Sequence, residues 1–170
     1  MLNLNPDATQ EEIDQAFMAM AIREAMIAES KEEIPIGAVV VLDGKVIGRG
    51  HNQNKTLIDP TAHAEMIAIT AACNKIQLRY LESATLYVTI EPCSMCAGAI
   101  VLARLPRLVF GARDAKAGAC GSVFNLVQDP RLNHQVEVVG GVKDFECATL
   151  ITEFFESIRE KRRKSGNEQN

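Results

Sequence analysis

A His63-Ala64-Glu65 triplet followed about thirty residues later by Pro92-Cys93-Ser94-Met95-Cys96 restricts the fold of this chain more than any other feature. An imidazole and two thiolates are good zinc donors. A structural zinc site is usually closed by four protein ligands, whereas three leave a position for water. The set His63, Cys93 and Cys96 stops at three. To meet at one ion, two distant segments must be brought together, so the fold has to place two helix starts face to face.

Local patterns say how each segment presents its donor. Cys93 and Cys96 are three apart at the start of an apolar run, Met95 to Ala103, which reads as a helix after the strand-like stretch Ala84 to Ile90. Residues three apart share a helix face, and the free N–H groups of a helix start favour the thiolate. His63 is expected in the first turn of another helix, Thr61 to about Asn74, with Asp59 as cap and Pro60 in the first helical position. Glu65, two positions on, points roughly 200° away around the helix. It is therefore expected to act on a bound water as a proton shuttle, not as a ligand. His51 and His134 are the remaining histidines, and either could in principle close the site as a fourth ligand.

Each half of the pattern is weak alone: His-x-Glu occurs on surface helices, and Cys-x-x-Cys also serves redox pairs and half zinc fingers. In this order the two halves form the signature of zinc-dependent nucleobase deaminases, so the chemistry is recognised from the motif, not deduced from spacing. The segments Asp59-Pro60-Thr61-Ala62-His63-Ala64-Glu65, Leu86 to Cys93 and Gly111-Ala112-Arg113-Asp114-Ala115-Lys116-Ala117-Gly118 closely resemble the bacterial tRNA-specific adenosine deaminases, and a looser likeness runs from Ile13 to about Arg159. The resemblance implies a three-layer α/β/α cytidine-deaminase-like fold and hydrolysis of the wobble adenosine of a tRNA anticodon to inosine. It also implies one Zn2+ per subunit, a homodimer, and the anticodon stem-loop of an arginine tRNA as partner. By the same resemblance His63, Cys93 and Cys96 are the zinc ligands and Glu65 the proton shuttle. Asn52 contacts the target base, the backbone N–H groups of Ala64 and Cys93 lie near the substrate, and Asp114, Lys116, Phe155 and Arg159 meet the anticodon nucleotides. Glu156 departs from the pattern, standing where many relatives carry a basic residue.

The remaining sequence accommodates such an enzyme. A chain of 170 residues, 47% hydrophobic, is long enough for one core and short for two, so residues 1–164 are expected to form one domain and 165–170 a disordered tail. No stretch of eighteen apolar residues and no leader pattern appears, which points to the cytoplasm and away from membranes. Five cysteines, two of them metal donors, suit a reducing compartment, with Cys73, Cys120 and Cys147 expected to fill small buried spaces. The net charge of −4 is unevenly spread: residues 1–33 hold eight acidic and two basic side chains, net −6, leaving +2 for the rest. Basic residues recur at Arg104, Arg107, Arg113 and Lys116 and again at Arg159 to Lys164, consistent with an RNA partner.

The element pattern predicts an α/β fold with a mixed five-stranded sheet flanked by helices. Thr9 and Glu12 form a capping box before a helix ending near Ser30, and Asp43-Gly44 marks a hairpin between Ile36–Leu42 and Val46–Gly50. Ala84 to Ile90, the Cys-bearing helix and Arg107 to Gly111 predict two parallel strands with a helical crossover. Val136 to Val139 adds a strand. A final helix from Glu146 to about Lys164 is expected to turn Leu150, Ile151, Phe154 and Phe155 inward. The glycines from Gly111 to Gly121 lack the spacing of a phosphate loop. Competing functions are deamination of a free base or nucleoside such as cytosine or guanine, a non-catalytic structural zinc module that binds RNA, and a redox pair at Cys93 and Cys96.

Overall fold

The computed structural model describes residues 7–167. Helix α1 (Gln10–Ser30) opens on the expected capping box: Thr9 Oγ1 accepts the Glu12 N–H at 3.3 Å and Glu12 Oε2 accepts the Thr9 N–H at 2.7 Å. Strands β1 (Gly37–Leu42) and β2 (Lys45–His51) follow, joined at Asp43-Gly44. Both turn residues have positive φ, 49° and 70°, as a two-residue hairpin with right-handed strand twist requires. After a single turn of helix, α2 (Asn54–Leu57), come α3 (Ala64–Ile76), β3 (Thr85–Ile90), α4 (Ser94–Leu102), β4 (Arg107–Ala112), β5 (Glu137–Gly140) and α5 (Asp144–Asn167).

The sheet order is β2-β1-β3-β4-β5, with β1 antiparallel to both its neighbours and β3, β4 and β5 mutually parallel. Both faces are apolar, which is why the strands read as continuous hydrophobic runs with little alternation. Ala38, Val40, Leu86, Val88, Leu108 and Phe110 face α3 and α4 in one buried cluster. Val39, Val41, Tyr87 and Val109 face Phe17, Met18 and Ala21 of α1 and Cys147 of α5 in another. The result is the three-layer α/β/α arrangement, in which each buried Val, Leu, Ile or Phe contributes roughly 1.5–3 kcal/mol.

Register sets where loops gather. Gly37 pairs with His51, Ala38 with Val88, and Ile90 with Ala112, so the start of β1 and the ends of β2, β3 and β4 lie at one end of the sheet. Residues 52–63, 91–93 and 113–122 all leave from that end, the usual location for ligands in an open α/β sheet. The opposite end is pinned by charge. Asp14, on α1, accepts from the two terminal guanidinium nitrogens of Arg107 at 2.8 and 2.7 Å and from the Tyr87 hydroxyl at 2.9 Å.

Several boundaries differ from expectation. Helix α5 starts two residues early and runs through Ser165 to Asn167, past the point where a disordered tail was expected; residues 168–170 lie outside the described residues. Phe155 is not turned inward: it is 40% exposed while Phe154 is buried, because adjacent helix positions differ by about 100°. Cys73 is half-buried, whereas Cys120 and Cys147 are buried as expected. Among the described residues no helix is long and apolar enough to cross a membrane.

Candidate metal and catalytic centre

The two ligand segments meet at helix starts, as expected, but His63 stands just before α3 and not within its first turn. His63 is the N-cap of α3, with φ −79° and ψ 152°, and Cys93 is the N-cap of α4, with φ −71° and ψ 174°. Asp59 does not cap α3: its Oδ1 accepts the Thr61 N–H and hydroxyl at 2.8 and 2.7 Å and closes the preceding turn. Cys96, in the first turn of α4, is fully buried beneath them. His63 Nδ1 lies 3.7 Å from Cys93 Sγ and 3.5 Å from Cys96 Sγ, and the three donor atoms fall within 4.8 Å of one another. Tetrahedral zinc at ordinary bond lengths spaces nitrogen and sulfur about 3.5 Å apart, so this donor set fits the ion.

Protonation is shared within the cluster. The Cys93 thiol is drawn down to about 3 by hydrogen bonding with Cys96 and then His63, whereas Cys96 is pushed up by its bond to Cys93 and by burial. His63 is raised by its bond to Cys93. A thiolate already formed beside a thiol and an imidazole is a set that a dication binds with release of protons.

Glu65 follows on the first turn of α3, only 3% exposed. Its Oε2 is the sole buried side-chain oxygen or nitrogen among the described residues with no hydrogen-bond partner. Orphaned polar atoms of this kind are rare and mark sites of chemistry. Burial pushes the carboxyl up, the direction needed by a group that takes and returns protons. Neither spare histidine joins the cluster. His51 Nε2 is 3.0 Å from Lys31 Nζ and its Nδ1 is 3.5 Å from Glu24, while His134 Nε2 is bonded to the Leu105 carbonyl at 2.7 Å.

Asn52 is buried beside the centre, and its Oδ1 accepts the Ala64 N–H at 2.9 Å. That bond fixes the start of α3, and it also engages the Ala64 N–H that was expected to face a substrate. Asp114 Oδ1 accepts the N–H groups of Lys116 and Ala117 at 2.9 and 3.1 Å, shaping a turn that leaves the Lys116 side chain exposed. Phe155 and Arg159 share an outer face of α5. The neighbouring face carries Phe154, Ser157, Ile158 and Lys161 along a groove with Glu29, Glu32 and Lys55. Two members of the basic set belong elsewhere: Arg107 is committed to Asp14, and Arg104 pairs with Glu82 at 2.9 Å and stacks on Tyr80.

Two functional candidates carry no motif of their own. Glu33, buried, accepts the N–H groups of Lys55 and Thr56 at 3.2 and 2.7 Å and anchors α2. Glu91, also buried, anchors residues 114–122 in the same manner. Neither stands out in the sequence: Glu33 follows Ser30-Lys31-Glu32 as one more acidic residue, and the main-chain donors around both come from distant segments.

The chain is similar to known proteins. Residues 12–159 match the model of the MafB19-like deaminase family. The tRNA-specific adenosine deaminase of Bacillus subtilis (strain 168) is 50% identical over 150 residues, covering 88% of this chain and 93% of that protein. The chain belongs to the tRNA-specific adenosine deaminase family. A solved structure from a study of A-to-I editing by tRNA:A34 deaminases at the wobble position of transfer RNA superposes with a TM-score of 0.77 at 45% identity, covering 79% of this chain and 98% of that one. A guanine deaminase of Bacillus subtilis is more distant, with TM-score 0.58 and 38% identity over 64% of this chain and 69% of that one. Within that family background, His63, Glu65, Cys93 and Cys96 form the candidate centre, gathered at the starts of α3 and α4.

Proposed function

We propose that this protein hydrolyses the adenosine at the first anticodon position of a tRNA, an arginine tRNA, to inosine, with one zinc ion per subunit. The observation that carries the reading is the buried, partnerless Oε2 of Glu65 beside a three-donor set. His63, Cys93 and Cys96 would hold a zinc ion, which when bound would supply a Lewis acid that lowers the pKa of water. Glu65 takes a proton from the attacking water and delivers it to N1 of the adenine ring as the C6–O bond forms. It then takes the remaining proton from the C6 hydroxyl and passes it to the amino group, so that the C6=O bond forms as the C6–N bond breaks and ammonia leaves. The adenosine must be unstacked to present C6, which a single-stranded anticodon loop permits.

Around this centre, Asn52 orients the base through its amide, with its Oδ1 already fixed on Ala64. Asp114 and Lys116 contact the flanking nucleotides from their loop, and Phe155 and Arg159 add a stacking surface and a phosphate contact; their common exposed face on α5 supports that assignment. The protein is read as a homodimer. In support, an open, mainly apolar groove runs from Leu57 past Ala62, the neighbour of His63, and along Met66, Ile67 and Ala71 of α3, and Leu102 on α4 is 78% exposed. A tRNA substrate and five unpaired cysteines suit the cytoplasm.

The test is to incubate zinc-loaded protein with unmodified arginine tRNA, other tRNAs, adenosine, guanine and cytosine side by side. Inosine at the first anticodon position of the arginine tRNA alone is expected. Turnover of a free base or nucleoside in its place would move the protein to the other deaminase class, which the likeness to a guanine deaminase keeps in the comparison. A structural zinc module would need a fourth protein ligand, and the bonds of His51 and His134 to other groups count against it. A redox role would require a reversible Cys93–Cys96 disulfide and no stoichiometric metal.

A further inference from the structure

Glu91 lies between β3 and the first thiol donor, and the reaction described above makes no use of it. It is 1% exposed, and its backbone N–H is spent on the Ala112 carbonyl at 2.8 Å. The side chain is surrounded by donors from one loop. Oε1 accepts the N–H groups of Cys120 and Ser122 at 3.0 and 2.9 Å, and Oε2 accepts the Asp114 N–H at 3.2 Å and the Ser122 hydroxyl. The next residue continues the attachment, since the Pro92 carbonyl accepts the Ala119 N–H at 2.8 Å and Cys93 forms a β-bridge with Gly118. The loop fits the carboxylate closely: a Cβ on Gly118 would lie 2.5 Å from Glu91 Cδ. Residues 114–122 are therefore wound around a single anionic group whose backbone position adjoins a metal donor.

We infer that Glu91 is a positioning residue for the nucleic-acid substrate: its carboxylate fixes the loop bearing Asp114 and Lys116 at a set distance from the Cys93 corner, and so aligns the flanking nucleotides with the reacting base. The inference rests on the reading of an RNA substrate given above. An isosteric amide cannot do the same work. Glutamine offers one accepting oxygen where four donors now converge on two, and its NH2 group would face donors. The loop would detach at one side while the His63, Cys93 and Cys96 set, held by helix starts, stays in place.

The test compares wild type with Glu91→Gln in the zinc-loaded protein by three measurements: amide hydrogen exchange, zinc content, and deamination of an anticodon stem-loop RNA. Exchange at Asp114, Cys120 and Ser122 should quicken about tenfold or more while β3 and α4 keep their protection. Zinc should remain at one per chain, and KM for the RNA should rise about tenfold with kcat changed by less than about threefold, the pattern of a lost binding alignment. Unchanged exchange would show that the carboxylate does not hold the loop, and freed amides with an unaltered KM would show that the loop does not align RNA. Either result overturns the inference while wild-type activity stands. A wild type inactive on every RNA would instead remove the parent reading, and this one with it. Ser122→Ala, which deletes one donor and leaves Glu91 in place, should shift exchange and KM the same way by about threefold, and no shift would refute the role even if Glu91→Gln fails to fold.

Discussion

Gly50→Ala should damage this protein far more than the loss of one hydrogen atom suggests. Gly50 lies at the end of β2 where the strand crosses α3, and an added Cβ would stand 2.2 Å from the Ala64 carbonyl oxygen, 2.7 Å from the Ala68 nitrogen and 3.1 Å from Ile67 Cβ. Ordinary contact begins near 3.4 Å, so the nearest overlap is about 1.2 Å. Two of the three atoms are main chain, so no rotamer change relieves it; β2 and α3 must part by about an ångström. Overpacking of this kind costs typically 1–3 kcal/mol, and the lack of a yielding side chain puts Gly50→Ala at the upper end. At roughly 2–4 °C per kcal/mol for a chain of this size, the melting temperature should fall by about 6–12 °C. The displacement also reaches chemistry, because Ala64 adjoins His63, and a misplacement of about 1 Å can cost on the order of a hundredfold in rate. Calorimetry, zinc content and inosine formation on a stem-loop RNA measure all three effects. Gly44→Ala is the control: Gly44 has φ +70° and open space around it, so alanine strains only a turn at the far end of the sheet, with loss of about 1 kcal/mol and unchanged turnover. A Gly50→Ala protein that melts within about 2 °C of wild type and deaminates at the wild-type rate would refute the argument that β2 fixes the start of α3.

Glu65→Ala should keep the fold and its zinc, yet lose about a hundredfold to ten-thousandfold in single-turnover deamination, and near-normal turnover would remove Glu65 from the proton path. Cys96→Ser should lower bound zinc well below one per chain by elemental analysis, and dialysis of wild type against a chelator should both abolish activity and lower the melting temperature. Arg107→Met leaves Asp14 buried without its cation and should cost about 3–5 kcal/mol by denaturant unfolding. The pH dependence of that loss follows from Asp14: burial favours its neutral form, but bonds from Arg107, Gln10 and Tyr87 outweigh burial and hold the carboxyl below its ordinary value. A lowered folded-state pKa gives stability that is complete above about pH 4 and is lost as pH falls through the folded value. The gap between wild type and Arg107→Met should therefore narrow in acid, and a gap that widens below about pH 4 would contradict the assignment.

Much of this molecule could be read before its structure was in hand, and the reasons are local. Thr9 with Glu12, and Asp43 with Gly44, encode a helix start and a hairpin in two residues each, and both formed as expected. The His63, Cys93 and Cys96 cluster was legible because two short motifs carry it whole. What was not legible depends on contacts between distant segments. Asp59 looks like a helix cap but is taken by Thr61, so α3 begins at Ala64 and His63 becomes the cap. Arg107 looks like part of a basic surface, but Asp14, 93 residues earlier, claims it. Glu33 and Glu91 read as ordinary acidic residues, because nothing in sequence reveals that main-chain donors from another segment will surround them.

The arrangement of anchors has a consequence for how such a scaffold can change. The atoms of the candidate centre hang from helix starts, whereas the flanking segments are moored at buried carboxylates, Glu33 for residues 55–56 and Glu91 for residues 114–122. A loop tied from within can alter its outer residues freely so long as its internal posts keep their donors. Selectivity is thereby decoupled from reactivity: new molecules can be admitted by rewriting outer loop positions, with the catalytic core inherited intact.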